Sequence, residues 1–250
     1  MVVWQTQNGW SKELSIFLAV LLRIGADMIK SLEWDNSYKN KDNFLFYPHE
    51  EIVRFINRFV IKRVGVDDFH PILKDRVLLD LGCGIGRHVF YGLENKIDSY
   101  GVDLSEEAIS IAKDISCIKN ISNIENRFIV SDIRKMPWES NTFNIVVSHG
   151  VLDSMPFDVA VDGVKELHRV TSTNALLYSD LICSSDQNKD LEVIVRAKHE
   201  NNTIQSFFTR KKIDKLFANF FSIIEIVVID RENLITGCVD SRYHLILRRV

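Results

Sequence analysis

The 250-residue sequence is poor in the residues that interrupt or staple a chain, with four prolines and four cysteines. So few prolines leave no obvious linker, which argues for one domain with decorations. Cys83, Cys117, Cys183 and Cys238 are scattered, with no CxxC pair. That excludes metal-type spacing, so no metal is expected, and points to reduced thiols in a cytoplasmic protein. Positive charge is not in excess either: 31 Lys and Arg face 34 Asp and Glu. The basic footprint of a nucleic-acid binder is missing, and no such partner is expected. Nor does any apolar run reach the roughly 20 residues of a bilayer span. The strongest, Leu14–Leu22 (LSIFLAVLL), is soon interrupted by Arg23, Asp27 and Lys30. It lacks signal-peptide flanks and reads as a helix packing on the domain or on a second copy, as in a homodimer.

What the chain does have is a β-α rhythm. Candidate strands are Arg76–Leu81, Ser99–Leu104, Arg127–Asp132, Phe143–His149 and Ala175–Leu181. Helical patterns at Arg87–Asn95, Glu106–Lys119 and Val159–Val170 separate most of them. This alternation predicts a mostly parallel sheet with helices on both faces. A helix around Lys211–Phe220 then leads to strands at Ile223–Asp230 and Tyr243–Arg248. Their connection is too short for a parallel crossover, so the sheet ends in an antiparallel hairpin. Residues 1–75 are expected to form a helical extension or lid, and 76–250 the main domain. A polar insertion at 184–209 has strand character at Leu191–Ala197 and Thr203–Phe208.

The chemistry concentrates at the strand ends. Asp80-Leu81-Gly82-Cys83-Gly84-Ile85-Gly86-Arg87 runs from a buried strand through three glycines into a helix. Such a loop lets a ligand approach the backbone beside free helix N–H groups. A dinucleotide GxGxxG loop would need glycine at position 87, which is Arg87. The pattern is GxGxG after an acid, and a carboxylate there suits a cationic ligand and would repel a pyrophosphate. Asp103 ends the next strand, 21 residues past Gly82, and can accept from ribose hydroxyls; it could equally help Ser105 cap the following helix. Asp132 ends the third strand and can accept from an adenine amino group, with Ile133 against the ring. Three successive strands ending in Asp place three acids where open α/β sheets bind ligands.

The segments LDLGCGIGRH (79–88), GVDLSEEAISIAKD (101–114) and SDIRKMPWESNTFNIVVSHGVLDSM (131–155) resemble those of class I S-adenosylmethionine (SAM) dependent methyltransferases, particularly the small-molecule branch. The resemblance implies a Rossmann-like seven-stranded sheet with a C-terminal antiparallel hairpin, and SAM as cofactor. It also implies that Asp80, Gly82, Gly84 and Gly86 line the methionine and ribose side, with Cys83 and Arg87 completing the loop. Asp103 would hold the ribose, Leu104 and Ile133 would pack on the adenine, and Asp132 would bind it. Ser148 and His149 would face the methyl-transfer region. Cys83 stands at a common position for small residues, and Asp153 stands where related sequences often show histidine.

Methyl transfer asks mainly for in-line positioning; a base is needed only when the acceptor must lose a proton. His149 is the candidate base, and a strand-end histidine bonded to backbone is the plainer reading. Asp153 is a second candidate that could instead start a helix, and His88 reads as structural. Tyr38 or Tyr47, in an aromatic-rich stretch from Trp34 to Tyr47, could reach the methionine carboxylate as part of a lid, or simply pack the extension on the sheet. The fourth strand ends Ser148-His149-Gly150-Val151, not in the Asn/Asp-Pro-Pro-aromatic loop of amino-directed DNA and glutamine methyltransferases. A small-molecule acceptor methylated at oxygen or nitrogen is the leading expectation. A protein or RNA methyltransferase and a non-catalytic subunit of the same fold are the alternatives.

Overall fold

A computed structural model describes residues 31–185, 191–196 and 203–250. The apolar run at 14–22 and most of the expected extension lie outside them. Residues 31–39 are helical (α1), followed by α2 (Glu50–Phe59) and a small ladder of β1 (Ile61–Arg63) with β2 (Phe69–Pro71). The extension is therefore not wholly helical: Ile61 pairs with Pro71 in an antiparallel hairpin.

The main sheet comprises β3 (Val77–Leu81), β4 (Asp98–Asp103), β5 (Phe128–Val130), β6 (Phe143–Ser148), β7 (Thr171–Ile182), β10 (Phe221–Glu232) and β11 (Val239–Arg249). Their spatial order is β10-β11-β7-β6-β3-β4-β5. The pairs from β7 to β5 are parallel, whereas β11 runs antiparallel to both β7 and β10. This is the α/β methyltransferase topology, with helices α3 (Arg87–Glu94), α4 (Glu106–Ile118), α6 (Phe157–Val170) and α7 (Arg210–Phe217). The expected hairpin is longer than its apolar pattern suggested, because its strands continue through the polar residues Arg231, Glu232 and Asp240. A short helix α5 (Ile124–Arg127) takes the start of the expected third strand, so Asp132 stands two residues beyond the end of β5. Within the insertion, β8 (Leu191–Ile194) pairs with β9 (Ile204–Phe207).

Side chains alternate across the sheet, as period-2 geometry requires. Leu79, Leu81, Val146, Leu177 and Leu245 bury one face under α6 and α7. Leu78, Ile145, Val147 and Tyr178 bury the other under Ile52, Phe55 and Ile56 of α2. Asp80 shares the face of Leu78, so its carboxylate points toward the α2 side. The carboxyl ends of β3, β4 and β6 meet in register, with Leu81 opposite both Val102 and Ser148. Every functional loop of the parallel half therefore emerges on one rim.

Candidate active site

The glycine loop leaves β3 and is tied to β4 by the Cys83 amide, which donates to the Val102 carbonyl at 2.9 Å. Gly82 and Gly84 have φ of +62° and +53°, a region that side-chain-bearing residues rarely enter. Their lack of a β-carbon also serves packing: one on Gly82 would fall 2.5 Å from Val151, and one on Gly84 2.5 Å from the Tyr38 hydroxyl. Gly86 begins α3, and its missing side chain makes room for the Phe128 ring.

Asp103 closes this end. One carboxylate oxygen accepts from the Gly84 amide at 2.8 Å and the other from the Ser105 amide at 2.9 Å. Burial pushes its pKa up to about 6 although both amides favour the charged form. Ser105 caps α4 through the Ala108 amide, as its sequence position suggested. It also donates to Asp35 of α1 at 2.5 Å, and Asp35 accepts from the Glu107 amide at 3.2 Å. A carboxylate at a helix N-terminus is favourable, and here it docks α1 over the cofactor end. Nothing in the sequence marked Asp35 for this.

A cavity of about 540 Å³ runs along the rim. At one end it is lined by Trp34, Tyr38 and the loop residues Gly82, Cys83, Gly84 and Arg87; Asp103, Leu104, Asp132 and Ile133 follow. Asp132 is gripped by the Arg134 side chain, whose Nε lies 2.9 and 3.0 Å from its two oxygens. At the other end stand His49, His149, Arg242 and His244. The loop, Asp103 and the flanking apolar groups match what an adenosyl ligand requires: backbone approach, an acceptor for hydroxyls and a flat apolar slot.

Four expected residues are placed away from the lining. Asp80 is buried beneath the loop, 3.3 Å from His88 Nδ1, and its other oxygen has no hydrogen-bond partner. Ser148 is 1% exposed and its hydroxyl is unpartnered. Gly86 serves packing. Tyr47 is 87% exposed, and only its carbonyl meets the site, accepting from Arg87 at 3.5 Å.

The far end holds a cluster the sequence reading largely missed. His149 Nδ1 lies 2.8 Å from a carboxylate oxygen of Asp180 on β7. Asp180 accepts from the Gly150 amide and from Arg242 Nε, both at 2.8 Å. Arg242 reaches on to Asp153 at 2.6 Å. Asp153 also accepts from the Ile182 amide at 3.0 Å, so it ties strands together and does not start a helix. Its pKa rises to about 6, chiefly through burial. Burial would raise Asp180 too, but His149 and Arg242 outweigh it and hold that carboxyl below the usual range. The His49 ring packs against His149 at 4.0 Å with a 31° tilt, and the His88 ring meets His149 edge-on at 6.0 Å. Burial and the neighbouring His149 lower His49 to about 3, so it is neutral at physiological pH. Among the described residues no group of three or more His, Cys, Asp or Glu could hold a metal ion.

A seven-stranded sheet of this order with a glycine loop and acids on its rim defines a class I SAM-dependent methyltransferase domain. Residues 72–221 match the family model described as a methyltransferase domain, and the chain belongs to that family. Among curated relatives, ajmaline N-methyltransferase of Rauvolfia serpentina is 24% identical over 192 residues, covering 70% of this chain and 64% of its own length. This chain therefore accounts for less than two thirds of that relative. A SAM-dependent methyltransferase from Methanosarcina mazei superimposes with a TM-score of 0.58 at 21% identity, over 71% of this chain and 94% of its own. The 1,6-didemethyltoxoflavin-N1-methyltransferase of Burkholderia thailandensis, solved with S-adenosylhomocysteine, gives 0.54 at 16% identity, over 70% and 72% of the two chains. Among the described residues no helix is long and apolar enough to cross a membrane.

Proposed function

We propose that this protein transfers the methyl group of SAM to an oxygen or nitrogen of a small-molecule acceptor. The carrying observation is that one cavity joins the glycine loop and Asp103 to the histidine cluster at the end of β6. Bound SAM would supply an electrophilic methyl group on a positive sulfur. The chain's own task is to hold two partners in line and keep water out, which can be worth roughly 7–11 kcal/mol of barrier.

Gly82 and Gly84 give close backbone approach, and Asp103 accepts from the ribose hydroxyls. Leu104 and Ile133 form the adenine slot beside Asp132. Arg87 and Tyr38 are placed to meet a carboxylate, with Trp34 and Tyr38 closing the end against solvent. Asp80 and Ser148 support the loop from beneath; Gly86 and Tyr47 act through packing and backbone. His149 takes the acceptor's proton. The N-methyltransferase names of two relatives favour small acceptors, and the four unpaired cysteines favour a reducing, cytoplasmic setting.

The test is calorimetry with S-adenosylhomocysteine, followed by transfer of a labelled methyl group to a panel of hydroxylated and amine-bearing small molecules. One-site binding and labelled product are expected; no binding would end the enzyme reading.

A further inference from the structure

We infer that Asp180 is the positioning residue of an acid–histidine pair, holding His149 with its proton on Nδ1 so that Nε2 faces the acceptor as a proton acceptor. The inference rests on the methyltransferase reading above and deepens it: the acceptor is a group that sheds a proton on methylation, a hydroxyl or an ammonium, and not a tertiary amine or a thioether.

The geometry carries it. Asp180 is fully buried on β7, and its carboxylate is fixed by the Gly150 amide on one oxygen and Arg242 Nε on the other. The second oxygen is the one 2.8 Å from His149 Nδ1. The contact meets the distance of a hydrogen bond but not its angle, so Nδ1 has no hydrogen-bond partner here; catalytic contacts often align only in the reactive complex. A carboxylate beside one ring nitrogen selects the tautomer with the proton on that nitrogen. The opposite nitrogen, Nε2, hydrogen-bonds to no protein group among the described residues, and the His149 side chain, 16% exposed, lines the cavity. The His49 ring packs against the imidazole at 4.0 Å with a 31° tilt and restricts its rotation. Arg242 does not itself touch His149; bridging Asp180 and Asp153, it neutralises part of the buried negative charge and fixes the carboxylate that orients the ring.

In the step so supported, an ammonium first gives its proton to His149 Nε2, whereas a hydroxyl gives it up as it attacks. The lone pair on the acceptor nitrogen or oxygen forms the bond to the methyl carbon. The carbon–sulfur bond breaks with its electron pair going to sulfur. Charge balances: for a hydroxyl the positive charge lost from sulfur appears on the imidazole, and for an ammonium it appears on the methylated nitrogen. The charged and titratable groups facing that imidazole are Asp180 on β7, Arg242 and His244 on β11, His88 and Arg87 on α3, Asp153 after β6, and His49 before α2.

The test pairs nitrogen-15 NMR of histidine-labelled full-length protein with kinetics. Wild type should show the neutral His149 ring protonated at Nδ1 and unprotonated at Nε2; the opposite tautomer would overturn the inference without needing any variant. Asp180→Asn should redistribute the tautomer and lower kcat about 100-fold, with the S-adenosylhomocysteine Kd changed less than twofold. An unchanged tautomer and rate in a folded Asp180→Asn protein would sink the positioning role. His149→Gln should be at least as slow, and the double variant no slower. Full activity in His149→Gln would instead overturn the base assignment, even with the Nδ1 tautomer in place.

Discussion

The hydroxyl of Tyr38 stands 2.5 Å from where a β-carbon on Gly84 would fall. Tyr38 and the glycine loop are therefore fitted to each other, and Gly84 cannot gain a side chain without moving that ring. Gly84→Ala combines that clash with a positive φ, costing about 1–2 kcal/mol in backbone terms alone. The expected outcome is a rise of at least tenfold in the S-adenosylhomocysteine Kd by calorimetry, with a fold still cooperative on heating.

Asp103 gives a signed pH prediction. Its carboxyl in the folded protein titrates near 6, above the usual aspartate value near 3.9. The folded state therefore binds this proton more tightly than the unfolded chain does, so the group's contribution to stability falls as pH rises from about 4 to about 6. Asp103→Asn has no charge to desolvate but keeps an acceptor for only one of the two amides, so it should flatten the fall in melting temperature between pH 4 and pH 6 that wild type shows. Cofactor affinity should run the other way, weakening in wild type as pH drops below about 6, because a protonated carboxyl accepts less well. Asp103→Ala should bind S-adenosylhomocysteine much more weakly at every pH, and unchanged affinity would contradict the ribose assignment.

The glycine loop was legible because it is local. A strand, three glycines and a helix fall within eleven residues, and each glycine answers a steric demand at its own position. Asp180, Arg242, His49 and His244 were not legible as a site. Arg242 meets Asp153 across 89 positions of sequence, and that meeting depends on β11 lying between β7 and β10, a strand order that no periodicity encodes. The expected hairpin came from connection length, yet its functional end is the polar stretch that apolar patterning assigns to a turn. The burial of Asp80 beneath the loop was not legible for a related reason. Motif spacing locates a residue along the chain, whereas the face its side chain takes follows from strand alternation with Leu78.

Arg242 should be costly to remove. Arg242→Met would leave Asp153 and Asp180 buried together without their cation, and breaking such a buried set by removing one partner typically costs about 3–5 kcal/mol. Thermal unfolding should drop by about 10 °C. Adding Asp153→Asn to that variant should recover part of the loss in a double-mutant cycle, since one uncompensated charge is then gone; strict additivity would argue against the network.

Asp35 should matter locally. Asp35→Ala removes the acceptor for Ser105 Oγ and the Glu107 amide, loosening α1 while leaving the sheet intact. Hydrogen exchange should speed up across residues 31–39, with global stability changed by about 1 kcal/mol or less.

Strand β11 is inserted between β10 and β7 although it is the latest of the described strands in the chain. On the ribosome, β3, β4 and β5 with their glycine loop emerge well before the strand that brings Arg242 and His244. The nascent chain can thus build its nucleoside shelf while β7 still offers an open edge, and Asp153 and Asp180 wait there without their counterion. Synthesis order therefore imposes a vulnerable interval, in which an unpaired strand edge is open to mispairing. It ends only when β11 slots in and supplies both the missing ladder and the missing charge.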